Sequence, residues 1–129
     1  MKTKWLDRRI ACAGPYLTLC LAQDEFDVIL KRLKVKYALP YVSSGADATA
    51  HHLTNDKGES VAIVCLSGFE ERSPIEVAGM LVHEAVHVWQ NYCEDIRENQ
   101  PGREQEAYAI QTIAQELMSE FARRMSEVR

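Results

Sequence analysis

The sequence offers no disulfide frame: its four cysteines, Cys12, Cys20, Cys65 and Cys93, are scattered and form no C-x-x-C pair. Cys12, Cys20 and Cys65 sit among apolar residues, as small buried thiols do, which predicts a reducing compartment and hence the cytoplasm. No apolar run approaches the roughly 18–20 residues that span a bilayer, so no membrane segment is expected. The basic start from Met1 to Arg9 lacks the uninterrupted apolar segment of a signal peptide. There is no excess of positive charge either. A formal net charge of −4 gives no electrostatic reason to expect nucleic acid or an anionic membrane as partner. Internal repeats and low-complexity stretches are missing as well. What is present is an ordinary globular composition, 47% hydrophobic and 26% charged over 129 residues. That suffices for one domain, residues 1–129, with its own core.

Residues 5–13 read as a short helix or an irregular lead-in, stopped by Gly14-Pro15. The compact apolar run 16–21 reads as a strand, and Asp24 is placed to cap a helix reaching about Leu33. Residues 35–45 are extended, then loop, broken by Pro40 and Gly45. Two β-prone runs, 49–54 and 60–66, flank the polar turn 55–58, a hairpin signature. Ser73-Pro74-Ile75-Glu76 is a helix start with a capping box, and the helix should run from Pro74 to about Tyr92. After the polar connection 94–102 a last helix runs from about Arg103 to Met125 or beyond. Its apolar stripe is Ala107, Ile110, Ala114, Leu117, Phe121, Met125 and Val128, with Ile113 alongside. Arg123 and Arg124 suit its C-terminus electrostatically.

The helix predicted after Ser73 carries His83-Glu84-Ala85-Val86-His87. Two histidines four residues apart share a helix face, so one tetrahedral Zn²⁺ can accept both at roughly 2.0–2.1 Å. The intervening Glu84 can take a proton from water on the open metal position. With Val82 as the zero of a helical wheel, the apolar arc centres on Val82, and His83, Glu84 and His87 share the one narrow polar face.

A catalytic zinc site needs a third protein ligand. Cys93 would lie about 120° from His87 on a continuous helix, which argues against it. Glu104 and Glu106 are the other candidates. Measured from Ile110, Glu106 falls on the apolar stripe and Glu104 off it, at about 120°. A carboxylate in such a stripe is costly unless paired or on a metal, so Glu106 is the expected ligand.

The set His83, His87 and Glu106 resembles the gluzincin metallopeptidases, whose thermolysin-like members carry a second-helix Glu about twenty residues past the second His. The run Arg103-Glu104-Gln105-Glu106-Ala107-Tyr108-Ala109-Ile110 also resembles a segment of the small ImmA/IrrE-like zinc peptidases, where the second Glu is the ligand. The chain departs from that family in having no helix-turn-helix, and Ser119 where a proline is usual. The resemblance implies an α+β fold, a small zincin-like domain with a short, mostly antiparallel sheet packed on the active-site helix and a C-terminal ligand-bearing helix. It implies a zinc-dependent peptidase with Glu84 as general base, acting on a protein or peptide substrate. It also implies that the strand 61–66, from Val61 to Leu66, is a sheet edge that docks substrate. Tyr108, His51 and His52 are candidate oxyanion donors, and at most one of the two adjacent histidines can face the cleft. The alternative is a catalytically silent, zinc-stabilised domain that binds a protein partner.

Overall fold

Six consecutive apolar residues set the architecture. In the computed structural model, which describes residues 2–6 and 14–127, every residue of 61–66 is buried. Cys12, Val128 and most of the lead-in 5–13 lie outside the described residues. Strand β3 (Ser60–Leu66) is the middle strand of three, in the order β1-β3-β2. On one side β1 (Tyr16–Cys20) pairs with it in parallel, Tyr16 opposite Val61 and Cys20 opposite Cys65. On the other side β2 (Ala48–Thr54) pairs antiparallel through the 55–58 turn, Ala48 opposite Leu66 and Thr54 opposite Ser60.

Two expectations are corrected here. The sheet is mixed rather than mostly antiparallel, and 61–66 is its centre rather than its edge. The physical reason is two-sided burial. A strand with one solvated face alternates apolar and polar residues, whereas Val61-Ala62-Ile63-Val64-Cys65-Leu66 does not alternate at all. Its odd residues, with Cys20, face helix α1 (Gln23–Arg32) and meet Phe26, Ile29 and Leu30. Its even residues, with Leu17 and Leu19, belong to the core formed with helices α2 (Pro74–Asp95) and α3 (Arg103–Glu127). The result is an α+β domain of three helices on a three-stranded sheet. No helix among the described residues is long and apolar enough to cross a membrane.

Local chemistry sets the ends of the elements. In the hairpin turn Asn55 Oδ1 accepts the backbone N–H groups of Lys57 and Glu59, and Gly58 takes φ +79°. Helix α1 begins at Gln23 after Ala22, with no side-chain cap. Asp24 instead sits in the first turn and accepts the Glu25 N–H. Helix α2 has the full capping box. Ser73 Oγ accepts from Glu76 N at 3.1 Å, and Glu76 Oε1 accepts from Ser73 N at 2.9 Å. The Ser73 N–H bond first, then the Ser73 hydroxyl, hold the Glu76 carboxyl below the usual range.

The buried arcs of α2 and α3 are both displaced from the sequence reading. On α2 the covered face centres on Val77, Leu81 and Val88, while Val82 is 39% exposed and Ile75 84%. Helix α2 packs on β2 and β3 as well as on α3, so two neighbours decide which arc is covered. On α3 the covered stripe is Ala109, Ile113, Ala114, Leu117, Glu120 and Arg124; Ala107 is exposed, and Ile110, Phe121 and Met125 are half-buried. Arg124 is fully buried. Its guanidinium donates to Glu25 Oε2 at 2.5 Å, and Glu25 Oε1 accepts the Leu21 N–H at 3.0 Å. The pair therefore ties the end of α3 to the start of α1, beyond any role at the helix terminus.

Removing one member of a buried pair strands the other's charge. Arg124→Met should lower the unfolding free energy by about 3 kcal/mol in urea denaturation. Ser73→Ala, which removes only the cap, should cost about 1 kcal/mol.

Candidate metal centre

The capped helix α2 presents His83 and His87 on an exposed face, one turn apart. Their Nε2 atoms converge to 3.2 Å, with ring centroids 4.9 Å apart and planes at 72°. Two donors at zinc distance in a tetrahedral shell are separated by about 3.3 Å, so the pair has the bite that such an ion requires. Gln90, one turn further on, has Oε1 3.1 Å from His87 Nδ1. A proton on Nδ1 donated to Gln90 leaves the Nε2 lone pair of His87 free, which is the tautomer a metal needs. The donor set fits zinc as far as two ligands go.

Glu84 differs from the histidines that flank it. It lies 60° from His87 and 100° from His83 around the axis, which turns it towards the sheet, and it is only 6% exposed. It lines an open cleft of about 450 Å³ together with His83, Gly79, Met80, Ala48 and Asp47. Arg72, on the same wall, donates to Asp47 at 2.5 Å, and that hydrogen bond raises the guanidinium pKa further. Among the described residues the Glu84 carboxylate makes no hydrogen bond and no ion pair. A largely buried carboxylate with no protein partner is costly unless solvent or a ligand reaches it, and the cleft is the route by which either does.

Glu106 is half-buried while Glu104 is exposed, so the two carboxylates separate in the sense that periodicity predicts. Glu106 is not beside the histidines, however. Its Oε2 accepts the Trp89 Nε1–H at 2.9 Å, in a second cleft of about 250 Å³ also lined by Gln90, Cys93 and Glu98. Among the described residues no group of three His, Cys, Asp or Glu side chains is placed to hold a metal. Cys93 is buried, and burial first, then the charges of Glu106 and Glu98, push its thiol pKa up, which keeps it a protonated and poor ligand.

The candidate oxyanion donors stand elsewhere. Tyr108 is 64% exposed, about 140° around α3 from Ile113, and does not line the cleft of His83 and Glu84. His51 stacks on Phe26 at 4.6 Å and reaches the Tyr41 carbonyl at 2.9 Å, on the α1 side of the sheet. His52 points to the opposite face, as alternation requires, with Nε2 2.9 Å from Asp95 Oδ2 at the far end of α2. Ser60 also donates to Asp95, and that bond first, then His52, holds the Asp95 carboxyl below the usual range. Gln90 and Trp89 are the site residues that sequence reasoning missed. The signal for Gln90 was its i+3 spacing from His87; Trp89 gave none, because its partner is seventeen residues away.

No protein-family model matches the chain, and neither a curated protein nor a solved structure does.

Outer hydrogen bonds to a ligating histidine are worth about tenfold or more in metal affinity. Gln90→Leu should therefore weaken zinc binding by about tenfold in a competition titration with a chromogenic chelator, with no change in the circular dichroism of the helices.

Proposed function

We propose that this protein is a zinc-dependent peptidase in which His83, His87 and Glu106 hold the metal and Glu84 is the general base. The observation that carries the reading is the 3.2 Å convergence of the His83 and His87 Nε2 atoms on an exposed helix face. The buried, unpartnered carboxylate of Glu84 in the adjoining cleft supports it. A bound zinc ion supplies Lewis acidity, polarising a peptide carbonyl and acidifying water. Glu84 takes the proton of the attacking water on its carboxylate and returns it to the leaving nitrogen as the C–N bond breaks. Gln90 holds the His87 ring in the metal-ready tautomer throughout.

Substrate binding is reassigned with the sheet order. The outer strand beside the cleft is β2, whose Ala48 lines the same wall as His83 and Glu84. An extended peptide adding to β2 would bring its backbone past Glu84, with main-chain hydrogen bonds supplying affinity. Free, buried Cys20, Cys65 and Cys93 support a cytoplasmic setting.

The second reading is a silent, zinc-stabilised binding domain. Exposed Ile75 and Val82 on α2 favour it, since both present apolar surface on the helix that carries the histidines.

One comparison separates the two. Glu84→Gln should retain one equivalent of zinc and lose at least about 10³-fold of peptide cleavage across an unbiased peptide library, as expected for loss of a general base in such a site. Wild-type protein that binds zinc and cleaves nothing in that library establishes the silent binding domain instead.

A further inference from the structure

Two carboxylates line the cleft beside α2, and their situations are opposite. Asp47 is held by the Arg72 guanidinium at 2.5 Å, and Arg72 turns its other terminal nitrogen to Glu76 at 3.8 Å. Glu84 is 6% exposed, and among the described residues it has neither a hydrogen bond nor an ion pair. The cleft thus keeps one negative charge uncompensated, next to the apolar surface of Met80 and Ala48. We infer that the cleft is a binding site for a lysine side chain from another polypeptide, its ammonium on Glu84 and its methylene stem along Met80 and Gly79. The inference goes beyond the peptidase reading and needs no zinc.

Charge, space and backbone all fit that occupant. A lysine joins a compact charge to a flexible apolar stem, so it answers a buried carboxylate and an apolar wall at once. The space is about 450 Å³, and Gly79 helps to keep it open. This glycine lies inside α2, where it is less favourable than alanine because it loses more backbone freedom on folding. A Cβ at this position would meet nothing within 4 Å, so the packing of the helix does not call for a glycine. What the missing side chain provides is room in the cleft of Glu84. The backbone of the incoming segment has a place as well. Ala48 opens β2, the outermost strand on this side, and an extended segment can pair with it as it passes the cleft. Under the peptidase reading a lysine seated on Glu84 occupies the general base, so the segment carrying it acts as an inhibitor.

The test uses the full chain labelled with ¹⁵N, in the presence of chelator, so that its result is independent of zinc. The probes are the blocked peptide acetyl-Val-Thr-Lys-Thr-Val-amide and its counterpart with norleucine for lysine, which keeps the stem and loses the charge. The lysine peptide should shift the Gly79 and Ala48 amide resonances to saturation. The norleucine peptide should bind at least about tenfold more weakly, as for loss of a hydrogen bond to a charged group. Glu84→Gln, which keeps the shape of the side chain, should abolish that preference. Gly79→Leu should abolish binding of both peptides with the Glu84 charge intact and the circular dichroism of the helices unchanged. Equal binding of the two peptides, no shift with either, a preference that survives Glu84→Gln, or full binding by Gly79→Leu overturns the proposal. The wild-type comparison decides the matter even if a variant folds poorly. Zinc affinity, measured on the same protein without chelator, tests the metal reading separately, and the failure of either leaves the other standing.

Discussion

A strand that is apolar on both faces needs a layer on each, and the arrangement of this molecule follows from that requirement at β3. Helix α1 supplies one layer; α2 and α3 supply the other. Placing β3 in the middle of the sheet gives it a pairing strand along both edges, which keeps its buried backbone groups from needing water. It also puts β2 outermost on the side of α2, with Ala48 against the cleft of Glu84. The site is a by-product of covering β3. Once α2 is pressed on the sheet through Val77, Leu81 and Val88, the residues about a third of a turn around the axis, His83 and His87, point outwards.

That geometry divides the motif between two environments. The histidines are exposed and face each other, while Glu84, one residue after His83, is largely buried and meets solvent only through the cleft. For metal chemistry this division is useful. Imidazoles bind an ion as neutral groups and lose little by standing in water. A carboxylate partly shielded from water holds a proton more readily than one in bulk solvent. The neighbouring surfaces reinforce the difference, since Arg72, on the wall of the same cleft, pairs with Asp47 and Glu76 rather than with Glu84.

What the sequence discloses, and what it hides, divides by range. The capping box of α2 is legible because its two hydrogen bonds span three residues. The hairpin is legible because Asn55 and Gly58 have a conformational role within the turn itself. Glu106 separates from Glu104 because two positions on a helix differ by 200°, enough to survive an error in locating the stripe. The arc of α2 is misplaced because hydropathy alone puts Ile75 and Val82 inside, whereas two packing neighbours leave them outside. The edge assignment of 61–66 fails for a reason present in the residues: six apolar positions without alternation describe a doubly covered strand. The Arg124–Glu25 pair, ninety-nine residues apart, and the Trp89–Glu106 pair have no sequence signature at all.

The tie at Arg124 has a mechanical side. Helix α3 carries Glu106 near its beginning and Arg124 near its end, roughly 27 Å apart at 1.5 Å per residue. One end is held to α1 by a buried ion pair, and the middle is packed on α2 through Ala109, Ile113, Ala114 and Leu117. Ahead of Ala109 the first turn meets α2 through the Trp89–Glu106 hydrogen bond. The helix is clamped from Ala109 to Arg124, and the overhang left beyond that clamp is the single turn that carries Glu106.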